Sequence, residues 1–260
     1  MTPEMNTVPL HAVREGRADG PTVVFGGSLA SNLSMWEPIL PRFTGSFDVV
    51  RYDLRGHGSS PVPAGPYEIA DLGADLLALL DRLSIQRAHL VGLSLGGMAA
   101  MWAAAHAPDR VDRLVLCCTS AQLGPPEMWA ERAALARTGG TAAGADAAIG
   151  RWFTPAFAAR EPELVARTKA MIAATPDQGY IECCGAIERM DLRPMLGSIT
   201  APTLVVAGEH DPATPVDHAE LIAGLIPDAR LAVVASAAHL AVAEQPDETG
   251  KLIATHLEGG

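Results

Sequence analysis

The stretch Arg87-Ala88-His89-Leu90-Val91-Gly92-Leu93-Ser94-Leu95-Gly96-Gly97-Met98-Ala99-Ala100-Met101-Trp102-Ala103-Ala104-Ala105 decides how the rest of the chain is read. Its first five residues predict a short buried strand, and the run from Gly97 predicts a helix. Between them, Gly92-Leu93-Ser94-Leu95-Gly96 must turn the chain sharply. A serine at the centre of such a turn is pushed outward, with its hydroxyl exposed and a helix N-terminus beneath it. Glycine suits positions 92 and 96 because a side chain at either would collide with the neighbouring strand or helix. The pentapeptide alone arises by accident in roughly one chain in ten of this length, so its strand and helix carry the inference. The competing reading is a small-residue turn that lets a helix pack closely on a sheet.

Outward from this turn, strand-like and helical runs alternate, which predicts a mostly parallel sheet with helices on both faces. Thr22-Val23-Val24-Phe25 runs into Gly26-Gly27-Ser28, and Phe47-Asp48-Val49-Val50-Arg51-Tyr52 into Asp53-Leu54-Arg55-Gly56-His57-Gly58. Leucines at 72, 76, 79, 80 and 83 give the helix 69–83 one apolar face. Further strands are expected at 114–118, 203–207 and 231–234, and helices near 216–225 and 245–257. From 122 to 192 the pattern is helical only, broken at Gly139-Gly140, Pro155, Pro162 and Pro176. About four helices are therefore expected as an insertion between two strands. Residues 1–121 and 193–260 form the core, 122–192 a cap within one folding unit. Open α/β sheets bind ligands at the carboxyl ends of their strands, and the cap is expected there.

A serine hydroxyl becomes a useful nucleophile only with a base in reach and a carboxylate orienting that base. Asp211, in Gly208-Glu209-His210-Asp211-Pro212, follows one predicted strand, and His239 follows the last one. Both lie in loops at the same sheet edge as Ser94. Asp211 could instead initiate a turn before its proline, and Glu209 and His210 are competing acid and base. His239 has its own competing reading as a capping or core residue. His57 is expected to hold its own turn in shape, and His11, His89, His106, His218 and His256 to be surface or packing residues. An oxyanion hole needs two backbone N–H groups. Leu95, after the serine, supplies one. Counting back from Trp36 assigns the other to Leu29, with Ser28 as the alternative.

The net charge of −11 argues against nucleic acid and anionic membranes as partners. It also means that a negatively charged substrate needs a local cation. No apolar run is long enough for a transmembrane helix. Met1-Thr2-Pro3-Glu4-Met5-Asn6 lacks the basic and apolar pattern of a secretory leader. The cysteines, Cys117-Cys118 and Cys183-Cys184, read as free thiols of a reducing cytoplasm without metal-ligand spacing.

With these elements in place, the chain resembles the α/β-hydrolase superfamily over nearly its whole length. Within it, the sequence is similar to the 3-oxoadipate enol-lactonases. Leu33-Ser34-Met35-Trp36, the 50–58 segment and Gly92–Met98 carry the general likeness. More discriminating are the cap segments Arg151-Trp152-Phe153-Thr154-Pro155-Ala156-Phe157, Ala174-Thr175-Pro176-Asp177-Gln178-Gly179-Tyr180 and Cys183-Cys184-Gly185-Ala186-Ile187-Glu188-Arg189-Met190-Asp191. One departure is the loop Gly26-Gly27-Ser28-Leu29-Ala30, where the lactonases usually carry Ser-Asn-Ser-Leu-Gly.

The resemblance implies an α/β-hydrolase fold with a helical cap and hydrolysis of a small carboxylated enol-lactone. It implies Ser94, Asp211 and His239 as the catalytic residues, Leu29 and Leu95 as oxyanion donors, and no metal or organic cofactor. Arg151 and Arg189 are candidates for the substrate carboxylate, and Trp152, Trp36 and Met128 for the pocket wall. Two other readings stand beside it. One is a cofactor-free esterase or perhydrolase acting on small acyclic esters. The other is a ligand-binding protein that has kept the pocket and lost turnover. A homo-oligomer is left open.

Overall fold

A computed structural model describes residues 6–259; the leader reading at Met1–Met5 lies outside them. The strands are β1 (Ala12–Gly16), β2 (Thr22–Gly26), β3 (Asp48–Tyr52), β4 (Ala88–Leu93), β5 (Val111–Cys117), β6 (Thr203–Gly208) and β7 (Ala229–Val234). They form one sheet in the order β1-β3-β2-β4-β5-β6-β7, with only β1 antiparallel to its neighbour. β4, which leads to Ser94, is therefore central.

Alternation along the strands feeds two cores, one on each face. Val24, Leu90, Leu114, Leu116 and Val205 point into one. Val23, Phe25, Val49, Val91, Leu93, Val115, Leu204 and Val206 point into the other. Helices α1 (Ile69–Arg82) and α2 (Leu95–His106) close the first face against each other. Their leucine and alanine positions keep the expected spacing.

Between β5 and β6 run α3 (Pro126–Gly139), α4 (Ala145–Trp152), α5 (Pro155–Arg160), α6 (Pro162–Ala173) and α7 (Asp177–Arg189). This is one helix more than expected. The extra one is the six-residue α5, opened by Pro155 at its first turn and capped by Thr154, whose Oγ1 accepts from Phe157 N–H at 3.3 Å. The chain finishes with α8 (Val216–Leu225), α9 (Ala241–Glu244) and α10 (Pro246–Leu257).

Strand β1 is absent from the sequence-based expectations. None of its residues is fully buried, and its charged Arg14 and Glu15 pair with β3 instead of filling a core. Arg14 meets Asp48 at 2.8 Å, and Glu15 pairs with Arg51. Such a strand carries no apolar alternation to read. All four cysteines are free and buried. No helix among the described residues is long and apolar enough to cross a membrane.

Candidate active site

Ser94 sits between β4 and α2 with φ 53° and ψ −114°, a conformation that is strained for any residue but glycine. Its neighbours hold it there. Ser94 N–H donates to Cys117 O at 3.0 Å, and Thr119 Oγ1 donates to Ser94 O at 2.7 Å. The bend is as tight as the sequence required. A Cβ on Gly92 would lie 2.4 Å from Gly96 O, and one on Gly96 would lie 2.2 Å from Gly26 O.

His239 and Asp211 come together as expected, with Nδ1 of the ring 2.8 Å from Asp211 Oδ2. Asp211 is nearly fully buried, and three further bonds fix it. Thr214 Oγ1 donates to Oδ2 at 2.7 Å, and the N–H groups of Ala213 and Thr214 donate to Oδ1 at 2.8 and 3.1 Å. Burial pushes this carboxyl up. The His239 charge and the bonds from His239 and Thr214 outweigh it and hold Asp211 below the usual carboxylate range. Glu209 is engaged elsewhere: its Oε2 accepts from Ser236 N–H at 2.9 Å and faces His210 at 3.6 Å.

The loop after β2 offers three successive N–H groups near the serine. Ser28 N–H is directed at Met35 Sδ (3.3 Å), and Ala30 N–H donates to His57 Nε2 at 2.9 Å. Leu29 N–H has no partner among the described residues, which favours Leu29 over Ser28. Leu95 opens α2, so its N–H is also free of intrahelical bonding. Gly96 N–H to Gly27 O, at 2.9 Å, joins the two halves of this cradle.

His57 does more than hold its own turn. Because Nε2 accepts from Ala30, the proton must sit on Nδ1, which lies 3.0 Å from Arg55 O. Burial lowers its pKa, so the ring is neutral at pH 7. It thereby fastens Ala30, a non-glycine residue at φ 64°.

Ser94, Leu29 and His239 open onto one pocket, walled by Trp152, Met128, Arg151 and Ala148 from the helical insertion. Its water-accessible volume is about 50 Å³, room for a few waters. The Trp152 ring centroid lies 6.4 Å from that of His239. Sequence reasoning missed Arg132, Trp129, Thr141 and Tyr180 on the same walls. Arg132 was signalled by spacing: it lies one helical turn after Met128 on α3. Its guanidinium lies 4.4 Å from the Trp129 ring centroid.

Neither Arg132 nor Arg151 meets a carboxylate among the described residues. Burial and then the like charge of Arg132 lower the Arg151 pKa. Two other candidates are corrected. Arg189 is absent from the pocket: its Nε donates to Glu68 Oε1 at 2.8 Å and its Nη2 to Tyr67 O at 2.7 Å. It fastens α7 to the start of α1. Trp36 is fully buried against Phe25, with ring centroids 4.9 Å apart, because its 3₁₀ turn (Leu33–Trp36) faces the sheet.

Comparison with known proteins shows the family. The alpha/beta hydrolase fold family model matches residues 21–246. The chain is 40% identical to 3-oxoadipate enol-lactonase 2 of Acinetobacter baylyi over 92% of its length and 89% of that protein. An enol-lactonase from Burkholderia xenovorans LB400 superposes with a TM-score of 0.95 at 39% identity, covering 98% of each chain. A thermophilic esterase from Thermogutta terrifontis, solved with malate bound, gives 0.90 at 29% identity over 96% of this chain and 93% of that one. The chain therefore belongs to the alpha/beta hydrolase fold family, as an esterase-type hydrolase that resembles the enol-lactonases.

Proposed function

We propose that this protein is a serine hydrolase that opens 3-oxoadipate enol-lactone, or a close carboxylated relative, to 3-oxoadipate through an acyl-enzyme. Ser94 Oγ attacks the lactone carbonyl while His239 Nε2 takes its proton. Asp211 holds the ring with Nδ1–H toward its own Oδ2. Ser94 and His239 line the same pocket, in which the lactone would sit between them. The tetrahedral oxyanion rests on Leu29 and Leu95 N–H, groups that need no reorganisation. Collapse breaks the ring C–O bond, and His239 returns the proton to the leaving enol oxygen. That enol stays tethered to Ser94 and ketonises. Water, deprotonated by His239, then attacks the ester carbonyl, and Ser94 leaves with its proton restored. No metal or organic cofactor enters these steps.

One observation carries the substrate class: Arg132 and Arg151 face the pocket of Ser94 without a carboxylate of their own. In a chain of net charge −11, two such cations suit an anionic arm on a small substrate, and binding it relieves their mutual repulsion. The enol-lactonase relatives support the same reading, as does the malate-bound esterase, malate being a dicarboxylate. We assign residues 122–192 as the cap that supplies this wall and place the enzyme in the cytoplasm, where its four free thiols remain reduced.

A second reading, hydrolysis of simple acyclic esters, draws on the Gly26–Ala30 loop. There a Cβ on Gly27 would lie 2.6 Å from Ser31 Oγ and 2.8 Å from Met35 Sδ, so the asparagine usual in the lactonases would require both side chains to move. Steady-state turnover of the enol-lactone and of p-nitrophenyl acetate separates the two. The lactone should show the higher kcat/KM; equal efficiency, or preference for the ester, would sink the lactonase assignment.

A further inference from the structure

Glu244 is a carboxylate only 4% exposed, and no cation pairs with it among the described residues. Its oxygens are occupied by neutral donors from two distant parts of the chain. Oε1 accepts from Thr154 N–H at 2.8 Å and from Thr154 Oγ1–H at 2.7 Å. Oε2 accepts from Ala238 N–H. Thr154 caps α5 in the helical insertion; Ala238 immediately precedes His239. A second link runs beside the first, Leu240 N–H donating to Trp152 O at 2.9 Å. Both sequence neighbours of His239 are thus fastened to the segment 152–154.

Burying a carboxylate is unfavourable unless its oxygens are saturated, and a loop N–H near the surface can be satisfied by water. What this carboxylate achieves, and water would not, is a fixed separation between the His239 loop and the pocket wall. We propose that Glu244 is a positioning residue for His239: its carboxylate clamps the base-bearing loop to the insertion. The imidazole and the Trp152 wall then move as one body. The proposal rests on the reading of Ser94 and His239 as nucleophile and base.

The test reads the His239-dependent reactivity of Ser94 directly, without assuming a natural substrate. A fluorophosphonate probe is added to wild type, Glu244→Gln, Thr154→Val and the double variant, and the labelling rate is followed. Glu244→Gln keeps the volume but turns one acceptor into an NH₂ that faces a donor. It should slow labelling roughly 10- to 100-fold, as a misplaced catalytic group does, with cooperative unfolding retained. Thr154→Val should slow it less. The double variant should be no slower than Glu244→Gln alone, because both substitutions break one clamp.

Wild-type labelling rates in folded Glu244→Gln, or additive effects, would overturn the proposal. Should Glu244→Gln fail to fold, Thr154→Val decides alone, since it leaves the carboxylate in place; its labelling at the wild-type rate would overturn the clamp. A wild type that resists the probe altogether would remove the nucleophile reading, and the clamp with it.

Discussion

At Ser94 the backbone is held in a strained conformation by bonds with Cys117 and Thr119 that are internal to the protein. The hydroxyl is therefore already presented to the pocket, and its loss should act on turnover alone. Ser94→Ala is expected to lower kcat roughly 10³-fold or more at unchanged unfolding midpoint; near-wild-type turnover would exclude it as nucleophile. Asp211→Asn should be severely impaired as well, because an amide there no longer selects the ring tautomer that His239 needs. Glu209→Gln should remain close to wild type, its carboxylate being turned toward Ser236 and His210. The reverse ranking in kcat would transfer the acid role to Glu209. The placement of Ser94, Asp211 and His239 at one sheet edge was legible because each sits in a short loop after a strand, where local sequence fixes the direction of a side chain. Arg189 and Trp36 were not. A motif gives their residue type, but only the bonds of Arg189 to Glu68 and Tyr67, and the packing of the 3₁₀ turn on the sheet, decide where they face.

Among elements, the loop between β2 and the 3₁₀ turn at Leu33 shows how one segment fixes another. Its N–H groups alternate between committed and free: Met35 engages Ser28, and His57, in the turn after β3, engages Ala30. His57→Leu should lower kcat about 10- to 100-fold with little change in KM, since it loosens the donor at Leu29 and spares the pocket wall. His57→Gln should recover part of this, its carbonyl oxygen accepting from Ala30 N–H. An equal loss in both variants would reduce His57 to a packing residue. Ala30→Gly should cost less than about 1 kcal/mol in unfolding free energy, because relief at φ 64° offsets the added freedom of the unfolded chain. The composition of this loop was visible in the sequence; the His57 bond was not, because it joins residues from separate turns. The insertion was legible as helical for the same reason that its pocket face was only partly so. Proline and glycine mark helix ends locally, whereas Arg132 reaches the site by the packing of α3 on α7.

Across the whole molecule, the sheet divides two cores and the insertion adds side chains to both, Trp129 and Ile187 to one, Trp152 and Phe157 to the other. Site and stability are thereby linked through buried groups that stay uncharged. Burial lowers the pKa of His57, His89 and His256 below the ordinary 6.5, the last to about 4. In the window between, the unfolded chain takes up protons that the folded one refuses. The stability these residues contribute is complete above about pH 6.5 and is lost as pH falls toward their folded pKa values, by at most about 1.4 kcal/mol per unit for each. Urea unfolding should show a lower midpoint at pH 5 than at pH 7.5, with an unchanged slope; an equal or higher midpoint would contradict the neutral assignment. The central claim, covalent attack of Ser94 on a cyclic ester, has a more direct test in rapid-quench mass spectrometry of the protein mixed with 3-oxoadipate enol-lactone. Ring opening releases nothing, so the account predicts a transient adduct of the whole substrate mass, mapped to Ser94. Turnover with Ser94 unmodified, or an adduct on another residue, would contradict it.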